Sequence, residues 1–191
     1  MVNSKNEFLL PKDLEGPGIS SYQGIWADSE ETIFQLENYY NLDSFASLNE
    51  MSKDSDSINQ ILKRYTKILE ITVFGYNFHF GVNEGFYINE DSFVLKFEDG
   101  EERQLSYGGG TQTGRSMCAI LYLNDDYDGG EIEFVNLNLK INPKAGTLLL
   151  FPANFLYSYK ENKVTNGTKY SIVNFIHDRP IDEISKQVLE Q

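Results

Sequence analysis

The chain is expected to fold as a mostly β domain with helices placed ahead of its strands, a sandwich or barrel rather than a helical bundle. Three observations predict this. From Phe93 onward, short apolar segments alternate with turn sequences such as Asp99-Gly100, Asp125–Gly130 and Asn166-Gly167, the spacing of an all-β core. Upstream, two stretches carry apolar residues at helical spacing. The 191 residues, 40% hydrophobic and 14% aromatic, suit one domain with a sizeable core.

Taken in order, residues 1–18 are polar and broken by Pro11, Pro17 and nearby glycines, and read as an N-terminal arm. Residues 19–191 form the single domain. Ile19–Ile25 is a candidate first strand. Asp28 and Glu31 have the spacing of a capping box, in which a side chain at each end of the first helical turn satisfies a free backbone N–H; Ile33, Phe34, Leu36 and Tyr40 follow. Asn41–Lys53 reads as a polar connection. Ser57 and Gln60 have the same capping spacing. Ile58, Ile61, Leu62, Tyr65, Ile68 and Leu69 then mark one apolar face, with Lys63, Arg64 and Lys67 opposite, and the pattern fades near Gly75. Phe93, Leu95 and Phe97 alternate as in a strand with one buried face. Met117–Leu123 is apolar throughout and reads as buried on both faces. Ile132/Phe134, Leu137/Leu139/Ile141 and Thr147–Phe151 continue the strands. Pro152-Ala153-Asn154 breaks the last of these, and Asn166-Gly167 reads as a hairpin turn.

The net charge of −13 argues against nucleic acid and anionic membranes as partners, since both require a basic surface. There is no apolar run of membrane-spanning length. The first residues lack the apolar core of a secretion signal, which places the chain in a host cytoplasm or a virion. The lone Cys118 sits in an apolar strand and reads as a small core residue. The acidic turn Asp125–Gly130 lacks the ligand spacing of a calcium loop. Asn166-Gly167-Thr168 has glycosylation-sequon form but reads as a turn.

The run Leu121–Asn124, the turn Asp125–Phe134, and the segments Ile141–Thr147, Leu148–Pro152 and Val164–Val173 together resemble the prolyl-4-hydroxylase-like branch of the iron- and 2-oxoglutarate-dependent oxygenases, in the short form often encoded by bacteriophages. The resemblance implies a double-stranded β-helix, or jelly roll, with two helices outside one sheet. It also implies three iron-ligand positions, a His-x-Asp pair about nine residues before an Arg and a distal His after the Phe-Pro turn. Counting from Arg115, Phe151-Pro152 and Val164, these fall on Ser106, Gly108 and Tyr159. Non-haem iron requires imidazole and carboxylate donors on one face, and none of the three supplies one. Neither histidine falls at a ligand position: His79 reads as a member of an aromatic cluster and His177 as a surface ion partner. The resemblance further places a cosubstrate-carboxylate anchor at Lys169 and Ser171, two apart on one strand face. A buried lysine needs an anionic partner. Phe97 and Gly100 take the place of the family's Tyr-x-x-G stretch, and Arg103 lies near the next aromatic of the pocket.

These positions lead to the expectation of a catalytically inactive member of the family. It would have no metal and no cofactor, a vestigial anchor at Lys169 and Ser171, and a structural or binding role with protein partners such as a virion's capsid, neck or tail. Two alternatives stand beside it: an active Fe(II)/2-oxoglutarate-dependent hydroxylase with non-standard ligands, and a small-anion binder using Lys169, Ser171 and Arg103.

Overall fold

The structure, a computed structural model, describes residues 13–39, 45–82, 85–109 and 114–180. The elements run β1 (Asp13–Gly16), β2 (Ile19–Tyr22), α1 (Ser29–Glu37), β3 (Phe45–Ser47), α2 (Leu48–Asp54), α3 (Asp56–Phe80), β4 (Phe93–Phe97), β5 (Arg103–Ser106), β6 (Arg115–Tyr122), β7 (Asp128–Gly129), β8 (Ile132–Phe134), β9 (Leu139–Ile141), β10 (Thr147–Pro152), β11 (Tyr159–Glu161), β12 (Val164–Asn166) and β13 (Lys169–His177). Seven strands form a large sheet in the order β1-β2-β10-β6-β13-β4-β3. Four form a smaller one, β5-β11-β8-β9, and β12 pairs with β7. Every pairing is antiparallel.

The large sheet is sandwiched, which explains why its central strands are apolar without alternation. On β6, Met117, Ala119 and Leu121 face the helices, while Cys118, Ile120 and Tyr122 face the small sheet. β10 and β13 divide in the same way: Leu148, Leu150, Ile172 and Ile176 lie on the helical side, and Leu149, Phe151, Val173 and Phe175 inside the jelly roll. Side chains of a strand alternate between faces, so a strand covered on both sides needs apolar residues at every position.

Several sequence expectations shift here. The stretch read as a polar connection contains β3 and a third helix, α2. Ser47 caps it by accepting from Glu50 N–H at 3.1 Å, and Leu48 and Met51 are buried. Seven residues are too few to show a helical period. α3 begins two residues earlier than expected, capped by the Ser55 hydroxyl accepting from Ile58 N–H. It also runs on past Gly75 to Phe80, ending at Gly81 in the left-handed conformation (φ 65°). Gly75 is buried within the helix and does not stop it. Asp28 precedes α1 without a side-chain cap. The turn at Asn166-Gly167 joins strands of different sheets, since β12 pairs with β7 and β13 with β4 and β6. Residues 13–18, read as part of the arm, form β1 and the turn into β2. The rest of that arm, residues 1–12, lies outside the described residues. Among the described residues no helix is long and apolar enough to cross a membrane.

Candidate active site

The two sheets part at one end of the jelly roll to leave a cleft of about 520 Å³. Phe45, Phe93 and Phe175 line its apolar wall, and Glu90, Arg103, Ser106, Gly108 and Arg115 its polar side. The larger groove of about 730 Å³ lies outside the sheets, between α3 and residues 85–92. It touches none of the three positions singled out above, and we place the candidate site in the cleft.

The fold brings those three positions together. Tyr159 on β11 is the register partner of Ser106 on β5, and Gly108 follows two residues on. Each is committed to something other than a metal. The Ser106 hydroxyl accepts from Gly108 N–H at 3.2 Å, closing the turn. Gly108 has φ +71°, and a Cβ built on it would meet the Phe175 ring at 2.8 Å. The ring therefore occupies the space an aspartate side chain would need. Tyr159 is fully buried against Phe134 and Phe151, the latter at right angles with 5.3 Å between centroids, and its hydroxyl lies 3.9 Å from Cys118 Sγ. Burial raises the Tyr159 phenol well above its ordinary range and pushes the Cys118 thiol up to about 12, so both are neutral at physiological pH. Among the described residues no cluster of three or more His, Cys, Asp or Glu side chains is placed to hold a metal. The residues at these three positions do not fit iron.

This geometry makes a direct prediction. Gly108→Asp, which restores a carboxylate at the implied position, strains a left-handed backbone and collides with Phe175. It is expected to cost about 1–3 kcal/mol in a denaturant titration. An unchanged midpoint would show that Phe175 gives way.

The anchor pair is likewise engaged. Lys169 and Ser171 both point inward and are fully buried. Lys169 Nζ donates to Gly130 O at 2.5 Å and lies 3.5 Å from Glu161 Oε2, with the rings of Tyr122, Tyr127 and Phe97 around it at 5.1, 5.7 and 5.8 Å. Glu161 accepts from the Tyr122 hydroxyl at 3.2 Å. Burial lowers the Lys169 pKa, and the Glu161 carboxylate opposes that shift. The anionic partner that a buried lysine needs is thus internal. Glu161 stands two residues after Tyr159, on the same strand face.

Both histidines have the neighbours expected of them but not the exposure. His79 is exposed at the end of α3, in edge contact with Phe80. His177 is an ion partner but a buried one, 2% exposed, with Nε2 2.9 Å from Glu90 Oε1. Arg115 grips the same carboxylate through Nε and Nη2, donates from Nη1 to Gly108 O at 2.9 Å, and lies over the Phe175 ring at 3.8 Å. No spacing in the sequence points to Glu90, which reaches the site from the segment before β4.

A family model for the 2OG-Fe(II) oxygenase superfamily matches residues 74–177, more than half of the chain. The chain belongs to that superfamily. Among solved structures it is similar to a viral collagen prolyl hydroxylase from Paramecium bursaria Chlorella virus-1 (TM-score 0.68, 17% identity, 87% of this chain and 98% of that one). It is also similar to a prolyl hydroxylase from Trichoplax adhaerens (0.72, 15%, 94% and 90%) and to a Pseudomonas putida prolyl-4-hydroxylase (0.59, 16%, 90% and 98%). At these identities the likeness establishes the double-stranded β-helix. Curated relatives include the mouse procollagen-lysine 5-dioxygenase 1, 27% identical over 86 residues, and the mouse prolyl 3-hydroxylase 2, 34% identical over 65. The chain spans only 12% and 9% of their lengths. The expectation that the chain is not an enzyme is corrected by these matches. It belongs to a superfamily of oxygenases, and its relatives bear the names of lysyl and prolyl hydroxylases. Substitution at three positions changes a donor set and does not by itself remove a chain from that class.

Proposed function

We propose that the protein is an Fe(II)/2-oxoglutarate-dependent oxygenase of the hydroxylase kind, acting on a side chain presented at the cleft, with metal donors other than Ser106, Gly108 and Tyr159. The observation that carries this reading is the superfamily match over residues 74–177, together with a cleft still open at the mouth of the jelly roll. Glu90 and His177 are an imidazole–carboxylate pair at this end of the fold, the donor types non-haem iron prefers. Arg115 already neutralises Glu90, so its guanidinium would have to withdraw. These two residues are the donors to test first. The chain's own part is to exclude water with the Phe93 and Phe175 walls and to hold the substrate's backbone against the β5 edge. Purified protein supplied with Fe(II), 2-oxoglutarate and ascorbate is expected to form succinate above a protein-free blank and to retain about one iron per chain. Glu90→Gln and His177→Ala should each lose both. Absence of iron and of succinate in the wild-type protein would overturn the proposal.

A further inference from the structure

The interior of the jelly roll is not charge-balanced. Lys169 and Glu161 face each other there and cancel. Arg103, at the start of β5 and across the register from Glu161, adds a second cation. Its guanidinium carbon lies 5.6 Å from the centre of the Tyr159 ring, and its Nη1 is buried without a hydrogen bond among the described residues. No ion pair of the described residues involves Arg103. The acids next to it in sequence are turned to other work: Glu101 accepts from Glu98 N–H at 2.8 Å, and Glu102 from the Gln104 amide at 2.7 Å. A buried guanidinium N–H left unpaired is costly, and arginine is the side chain best shaped to pair with a carboxylate.

The surroundings of Arg103 point to a ligand. It borders both the 520 Å³ cleft and an adjoining groove of about 410 Å³, and Phe45 is common to the two. Phe45 stacks on Phe93 with 4.5 Å between ring centres, yet remains 53% exposed. A cation with one nitrogen already desolvated thus stands beside an open aromatic wall.

We infer that Arg103, and not Lys169, is the anion anchor of this protein, and that the cleft takes a small organic dicarboxylate with one carboxylate on the Arg103 guanidinium and its carbon chain against Phe45 and Phe93. The inference deepens the proposed function by naming the residue that would receive the cosubstrate's carboxylate. It concerns binding alone, so it is tested apart from turnover. The full chain, with no metal added, is titrated calorimetrically with 2-oxoglutarate, with succinate and with inorganic phosphate. The two dicarboxylates are expected to bind, and phosphate is not. Arg103→Gln should weaken dicarboxylate binding roughly 10–100-fold, the loss expected from one charge-assisted hydrogen bond. Lys160→Ala, on the outer face of the neighbouring β11 beside Glu133, should bind as wild type, and circular dichroism should confirm that both variants are folded. Dicarboxylate binding without succinate formation would support the inference while the oxygenase reading fell. Wild-type-like binding by Arg103→Gln, equal binding of phosphate, or no binding at millimolar dicarboxylate would each overturn it.

Discussion

Tyr159→Ala is expected to lower the stability of the protein by about 3–5 kcal/mol. The ring is fully buried between Phe134, Phe151 and Arg103. Its removal forfeits the transfer energy of an aromatic side chain and leaves a cavity that two rigid sheets cannot close. The hydroxyl contributes little, since its nearest polar neighbour is a thiol at 3.9 Å. Tyr159→Phe should therefore stay within about 1 kcal/mol of the wild type. Urea denaturation of the three proteins provides the check. A midpoint unchanged in Tyr159→Ala would mean that the ring is not part of the core. Tyr159→His, which restores the implied imidazole, should fall between Ala and Phe, because a smaller polar ring is left among Phe134, Phe151 and Cys118.

Lys169→Met should cost about 3–5 kcal/mol, because it strands the Glu161 carboxylate in the interior with only the Tyr122 hydroxyl as donor. Adding Glu161→Met removes the stranded charge, and the double variant should regain most of the loss. Buried ion pairs are often replaceable as a unit even where neither half can be removed alone. A double variant no more stable than Lys169→Met would show that the two groups are not coupled. The pair also leaves a mark on the pH dependence. Burial holds the Lys169 pKa below its ordinary value of 10.5 in the folded protein. Between the folded and unfolded values the unfolded chain binds more protons, so the contribution of this residue to stability rises with pH through that window and is least below it. This alkaline gain should be absent from Lys169→Met.

What the sequence determined by itself was the architecture and the identity of the odd residues. Alternation in Phe93–Phe97, unbroken apolarity in Met117–Leu123 and the glycine-bearing turns dictate strands, because burial on one face or two leaves a direct trace in residue order. Motif order then brought out Ser106, Gly108 and Tyr159, and Lys169 with Ser171. α2 stayed hidden because a seven-residue helix buries only Leu48 and Met51, too few to form a pattern. The tertiary structure alone decided what each site residue touches. The Phe175 ring fills the space beside Gly108, Glu161 rather than a ligand neutralises Lys169, and Glu90 reaches across to Arg115 and His177 from the segment before β4. These contacts join residues 8 to 87 positions apart, and no strand or helix period pairs them. Sheet register sets them, and register is fixed only when two hydrophobic faces close on one another. The same closure leaves Arg103 as a cation without an ion-pair partner among the described residues, a feature of charge placement in space that no reading of a linear chain contains.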